Sequence, residues 1–480
     1  LHRLIRRQRQ MCIRDRFMTV MRKLTLLLLC LALGIGVCDA KKKSRGVYFR
    51  TDAEIVLDKP YFGLNVSNMI QVVLEADRNP ASVRVETENV PAEAVSVRVR
   101  RGELVLACDP GALSSKRKND TKRVVVYVGT GSLSSFTCFG ASTIASNAVV
   151  ARPQVKIAAA GASVVMFDVE CQTFELGVAG ASSYQGYVNC QENTVVDVSG
   201  ASELYADIRC ADISLKLGGS SNYKGSVFCR GGAGIELRGV SELYSDIQCR
   251  DLHLVLAGSS CLKGDVTCLQ DSEINILSVS ELHSDIRCRD LKLGLDGSSC
   301  LKGSVACQGR AEIDVLGISE MHSGILCHDL ALALDGSSWY RGNITCSGVA
   351  GISMAGVSEA VVGLLECRML AMALTGSSVY HEGQLSCLET ASMDIQSVSE
   401  CRIGGITRNL DLVASGSSSL RGGKLMVSEL ARCNISGVSD VVLGNLGQLQ
   451  AVVGPSSDFT YSGSPVLVPM RVAEAVVDNR

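Results

Sequence analysis

The sequence predicts an all-β fold, a right-handed parallel β-helix (solenoid) of about seventeen rungs of ~20 residues each. Three observations predict it. The first is a cysteine series: Cys171, Cys190, Cys210, Cys229, Cys249, Cys268, Cys288, Cys307, Cys327, Cys346, Cys367 and Cys387 follow one another at steps of 19 to 21 residues. The second is a serine eight residues ahead of most of them, from Ser163, Ser182, Ser202 and Ser221 onward, in a column running from Ser142 to Ser457. The third is the local pattern. Ile213-Ser214-Leu215-Lys216-Leu217 and Leu252-His253-Leu254-Val255-Leu256 are apolar at every second position, which is the period of a strand and not of a helix.

Two motifs alternate along the chain, each with a period of 39. Gly200-Ala201-Ser202-Glu203-Leu204-Tyr205 returns as Gly239-Val240-Ser241-Glu242-Leu243-Tyr244, then around Glu281-Leu282-His283 and Glu320-Met321-His322. Between these, Gly219-Ser220-Ser221-Asn222-Tyr223-Lys224-Gly225 returns as Gly258 to Gly264, Gly297 to Gly303 and Gly336 to Gly342. The Gly-Ser and Gly-Val-Ser steps supply corners between short strands. A left-handed hexapeptide helix needs an 18-residue coil, and crossover sterics favour the right hand. Rungs ~4.8 Å apart would make a rod on the order of 80 Å long.

Composition agrees with repeated small units. Gly is frequent (47), Pro scarce (8) and aromatic residues are 4% of the 480. A net charge of −2 gives no electrostatic case for nucleic acid. Near the start, Met21-Arg22-Lys23 precedes an apolar run from Leu24 to Val37 and then Cys38-Asp39-Ala40, the pattern of a signal peptide cleaved after Ala40. Lipidation at Cys38 would need a smaller residue than Val37 before it. The stretch ahead of Met18 reads as an over-extended translation, a genuine long basic lead-in being the alternative. No later segment is long and apolar enough to span a bilayer as a helix. The expected organisation is a signal peptide and extension at 1–40, a β-rich capping region at 41–139, the repeat β-helix at 140–457 and a closing tail at 458–480. In the capping region, Val83 to Glu86, Val95 to Val99, Leu104 to Leu106 and Arg123 to Val128 read as strands, Arg101-Gly102 as a hairpin turn and Lys116 to Asp120 as a solvated loop.

Stacking rungs places equivalent residues above one another. The cysteine column reads as an inward ladder of small, soft side chains. Disulfides are the rival reading, encouraged by export but opposed by the side-chain torsion of in-register parallel strands. A metal site is a third, weakened by the absence of C-x-x-C. Cys261 and Cys300 belong to another column, two rungs apart. One outward column holds Tyr205, Lys224, Tyr244, Lys263, His283, Lys302, His322 and Arg341, rings alternating with cations. It reads either as a cation–π ladder that stabilises an exposed face or as a sugar-binding strip. Another holds Asp207, Ser226, Asp246, Asp265, Asp285 and Ser304. Its carboxylates are either screened by solvent or invite Ca²⁺. Glu203, Glu242, Glu281 and Glu320 lie two rungs apart and need no partner on this reading.

The signal peptide, the strands from Val83 to Leu106 with their Arg101-Gly102-Glu103-Leu104 turn, the Val124 to Val128 strand and the Gly-Ala-Ser steps at Gly140, Gly161, Gly180 and Gly200 together resemble one family: putative auto-transporter adhesin, head GIN domain. The resemblance covers essentially all of the chain after Ala40. It implies an exported bacterial envelope protein, of a kind found mostly in the Bacteroidota, with a right-handed β-helix and an adhesin-like role. It carries no catalytic residues. Two features depart from the family: the large number of rungs and the regular cysteine ladder. No C-terminal outer-membrane barrel is visible in the sequence.

The function expected is that of a non-enzymatic envelope or surface protein, exported to the periplasm, the outer-membrane surface or the medium, binding a glycan or a surface or matrix protein. A structural envelope protein without a specific ligand is the first alternative. A β-helical polysaccharide lyase or hydrolase is the second, and it would need acid and base residues converging in one irregular rung. Here the polar residues recur in alternate rungs instead. An open rod end could also drive end-to-end self-association.

Overall fold

The computed structural model describes residues 50–113, 122–468 and 476–479. The signal-peptide reading at 1–40 and the Lys116 to Asp120 loop lie outside the described residues. Among the described residues, strands make up nearly all of the secondary structure, and they form a parallel β-solenoid of about 17 turns. No helix among them is long and apolar enough to cross a membrane.

A representative rung runs through strand Glu203–Cys210, strand Asp212–Leu217 and a corner at Gly218 to Ser221. Each strand pairs in parallel with its counterpart one rung away. Leu204 faces Tyr223, and Tyr223 faces Leu243. Likewise Leu215 faces Ile235, and Ile235 faces Leu254. Alternation sends every second side chain inward, and these inward residues fuse into one continuous core.

The corner is built by glycine and serine. Gly200, Gly219, Gly239 and Gly258 all have φ between 76 and 87°. The residue after each glycine donates its N–H to the glycine carbonyl of the neighbouring rung, as in Ser220 to Gly200 at 2.7 Å. A Cβ on Gly219 would lie 2.7 Å from that same Gly200 oxygen. The glycine column therefore follows from a close backbone approach as well as from the left-handed φ. The serines from Ser142 to Ser457 point inward, none more than 2% exposed. Ser202 and Ser241 donate to the carbonyls of Ser199 and Arg238 in their own corners. Ser221 and Ser241, Ser260 and Ser280, and Ser299 and Ser319 bond across rungs. In these rungs the small hydroxyl thus satisfies buried polar groups in the corner.

The twelve cysteines are buried, and the register pairs them two by two: Cys171 with Cys190, Cys210 with Cys229, Cys249 with Cys268, Cys288 with Cys307, Cys327 with Cys346, and Cys367 with Cys387. The sulfurs of Cys210 and Cys229, and of Cys288 and Cys307, are 3.4 Å apart as free thiols. Cys268, opposite Cys249, donates to the carbonyls of Arg250 and Asp271. Its thiol is lowered by its hydrogen bond with Cys249, whose own thiol that bond raises, with burial adding to the rise.

Parallel pairing extends beyond residues 140–457 at both ends. Parallel stacking begins well before residue 140. Strands Gly63–Ser67 and Gln71–Glu75 already form a turn under Ser135–Cys138 and Thr143–Ser146. Its corner uses Asn68 and Met69, both at φ 62°, so it carries no Gly-Ala-Ser signature. Around it, Arg50–Val56 and Arg123–Gly129 flank Ser82–Glu88 in antiparallel pairing, and Val95–Arg100 and Glu103–Cys108 form a hairpin about Arg101 (φ 51°) and Gly102 (φ 80°). Stacking also continues past residue 457, because Asp458–Ser462 pairs with the strand before it and Val476–Asn479 pairs with Asp458–Ser462.

Candidate functional site

The column of rings and cations exists in register. Tyr205 faces Lys224, and the series continues through Tyr244, Lys263, His283, Lys302 and His322 to Arg341 without a slip. It occupies outward positions because Leu204, Tyr223, Leu243 and Leu262, one residue earlier in each strand, are buried. The Lys224 ammonium lies 5.9 Å from the Tyr205 ring centre and 5.6 Å from that of Tyr244. Lys263 lies 5.4 Å from Tyr244. Further along, His322 meets Trp339 edge-on at 4.7 Å.

The glutamates do have partners. The Tyr205 and Tyr244 hydroxyls donate to Glu203 and Glu242, each at 2.9 Å. His283 Nε2 lies 2.8 Å from Glu281, and His322 Nε2 3.2 Å from Glu320. The partner stands two residues along the same strand, on the same face, and not across the rungs. The His283 imidazole, with Lys302 and Lys263 behind it, holds the Glu281 carboxyl below the ordinary range. The outcome is an ordered strip of rings with their polar edges anchored and their faces flanked by cations.

The aspartate column ties rungs together. Asp207 accepts from the N–H and hydroxyl of Ser226, and Asp285 accepts from those of Ser304. Asp246 accepts from the Asp265 N–H. The Arg287 guanidinium lies 3.8 Å from both Asp265 and Asp285. Each carboxylate thus meets hydrogen-bond donors or a cation of the protein itself. A shallow open depression lies on the neighbouring face, between Asp212, Gly234, His253 and Glu273, away from the ring column.

Fold and column together define a class: a parallel β-solenoid that presents chemically uniform, in-register surface strips. Within that class, the chain belongs to the family described as putative auto-transporter adhesin, head GIN domain, whose model matches residues 60–245 and 342–465. Among solved structures, a putative adhesin from Bacteroides fragilis is 12% identical, with 64% of this chain and 99% of that chain covered and a TM-score of 0.25. A putative adhesin from Parabacteroides distasonis is 15% identical, covering 62% and 96%, with a TM-score of 0.27. A protein from the same species described as a putative lipid binding protein is 12% identical, covering 65% and 96%, with a TM-score of 0.26. No curated protein matches the sequence.

Proposed function

We propose that this chain is an exported, non-enzymatic cell-envelope or surface solenoid that binds a glycan, or a surface or matrix protein, along the column from Tyr205 to Arg341. The single observation that carries the reading is the column itself: eight rungs of alternating ring and cation in unbroken register. Tyr205 is 38% exposed, so its ring, with the Lys224 ammonium beside it, is accessible to a hydroxyl-bearing partner such as a sugar. The uniform column fits extended binding better than a single reaction centre. Membership of an adhesin family supports the same reading.

A structural envelope role is the second reading. It is favoured by the internal pairing of the rings, since every tyrosine and histidine of the column has its polar atom on a glutamate. Binding of the purified chain to an array of glycans and matrix proteins, with calcium and with chelator, separates the two. Adhesion predicts saturable retention of one ligand class, reduced about tenfold or more when Tyr205 and Tyr244 are both changed to Ala. Retention that is unaffected by these changes would move the site off the column. No retention at all would leave the structural role.

A further inference from the structure

We infer that Cys261, Glu281 and His283 form a binding site for a borderline-soft divalent metal ion of the Zn²⁺ type. Among the described residues, theirs is the one set of three His, Cys, Asp or Glu side chains whose donor atoms all lie within 4.8 Å of one another. Cys261 sits on strand Cys261–Lys263 directly opposite Glu281, and His283 is two residues further along the same face. The thiol is only partly buried, so an ion can reach it from solvent.

The repeat supplies an independent observation. The position opposite each column glutamate is Ser183 below Glu203 and Asn222 below Glu242, and in those rungs the ring is Tyr205 or Tyr244. It becomes Cys261 and Cys300 only below Glu281 and Glu320, the two rungs where the ring becomes His283 or His322. Thiol and imidazole enter the repeat together twice, whereas His381, a third imidazole in the same column, meets Glu359 with no thiol opposite it. Neither substitution is needed for the strand, which forms equally well with Asn and Tyr. Both lie in the stretch 246–341, between the two segments that the family model matches.

The donor set selects the ion. Thiolate, imidazole and carboxylate suit Zn²⁺ or Co²⁺, whereas Ca²⁺ and Mg²⁺ take oxygen ligands. On binding, the Cys261 thiol gives its proton to solvent, and His283 and Glu281 exchange their mutual hydrogen bond for bonds to the metal. One thiolate and one carboxylate neutralise the dication, so Lys263 and Lys302, which flank His283, face a centre with no net charge. Three protein donors leave a fourth position for water or a partner's ligand. In the second copy, His322 is turned onto Trp339, and Cys300, Glu320 and His322 do not converge in the same way.

The test is titration of the reduced, full-length chain with Co²⁺, read by the sulfur-to-cobalt charge-transfer band, with Zn²⁺ as competitor. One band-forming site per chain is expected. Cys261→Asn and His283→Tyr install residues that the repeat itself uses at equivalent positions, so the fold is retained, and melting temperature and far-ultraviolet dichroism check this. Each should weaken Co²⁺ binding by about tenfold or more, while Cys300→Asn leaves it unchanged. A wild-type chain that gives no band would overturn the site. So would a band that survives Cys261→Asn, or one that is lost with Cys300→Asn instead.

Discussion

Gly218 and Gly219 are neighbours in one corner and have opposite surroundings. A Cβ on Gly218 would meet no heavy atom within 4 Å. On Gly219, at φ +76°, it would stand 2.7 Å from the Gly200 carbonyl oxygen and 3.0 Å from the Gly200 nitrogen, both backbone. Gly219→Ala should therefore cost about 2 kcal/mol or more, combining left-handed strain with a clash that no side-chain rotation relieves. Gly218→Ala should stay within about 0.5 kcal/mol, because it also restricts the unfolded chain. Thermal denaturation of the two variants side by side checks this, and equal melting points would refute the close-approach account of the corner. Ser278 (φ 66°) and Ser397 (φ 62°) occupy the glycine position in two rungs, which shows that the corner tolerates an isolated exception. The glycine column was legible in the sequence as a series of turns. Its cause was not, because contact with the rung below exists only once the rungs are stacked.

Between neighbouring rungs, the outward aspartates link a strand to the next backbone. The Asp285 carboxyl is held below the ordinary carboxylate range, first by the Ser304 hydroxyl and then by the Ser304 N–H. A carboxyl depressed in the folded state stabilises fully above its unfolded pKa of about 4, and the stabilisation is lost as pH falls through the lower folded value. Asp285→Asn should therefore be less stable than the parent at neutral pH, and the two should converge in acid below about pH 4. Denaturant midpoints collected from pH 7 downward test the sign, and a gap that widens in acid would contradict it. At this scale the sequence revealed which residues share a column and which way they face. It does not reveal pairing along a strand, and in the sequence Glu281 and His283 belong to separate columns. Nor did it show convergence across rungs. Cys261 stands 22 residues before His283, a separation that resembles no compact metal motif and closes only through the 20-residue register.

For the whole stack, the governing fact is that each turn touches only its neighbours, so stability should be a sum of local terms and opening should spread from the ends. The solenoid was legible because its period is carried by several independent columns at once, serine, glycine and cysteine among them. Its first turn was not, because Asn68-Met69 replaces the glycine corner there. The thiols make the mode of opening measurable. Cys261 and Cys300 are partly exposed, whereas the twelve ladder cysteines are buried. In the reduced native protein, a thiol reagent should modify Cys261 and Cys300 first. With denaturant added in steps, pulse alkylation read by mass spectrometry should label the terminal parts of the ladder, Cys171 and Cys387, before the central Cys249 and Cys288. A nearest-neighbour stack requires that order, since only the outermost turns are held from one side and opening spreads inward from them, reaching Cys171 and Cys387 before the central rungs. If central and terminal cysteines became labelled together at one denaturant concentration, the chain would open as a single cooperative unit, and coupling along the thiol and serine ladders would have to reach much further than one rung.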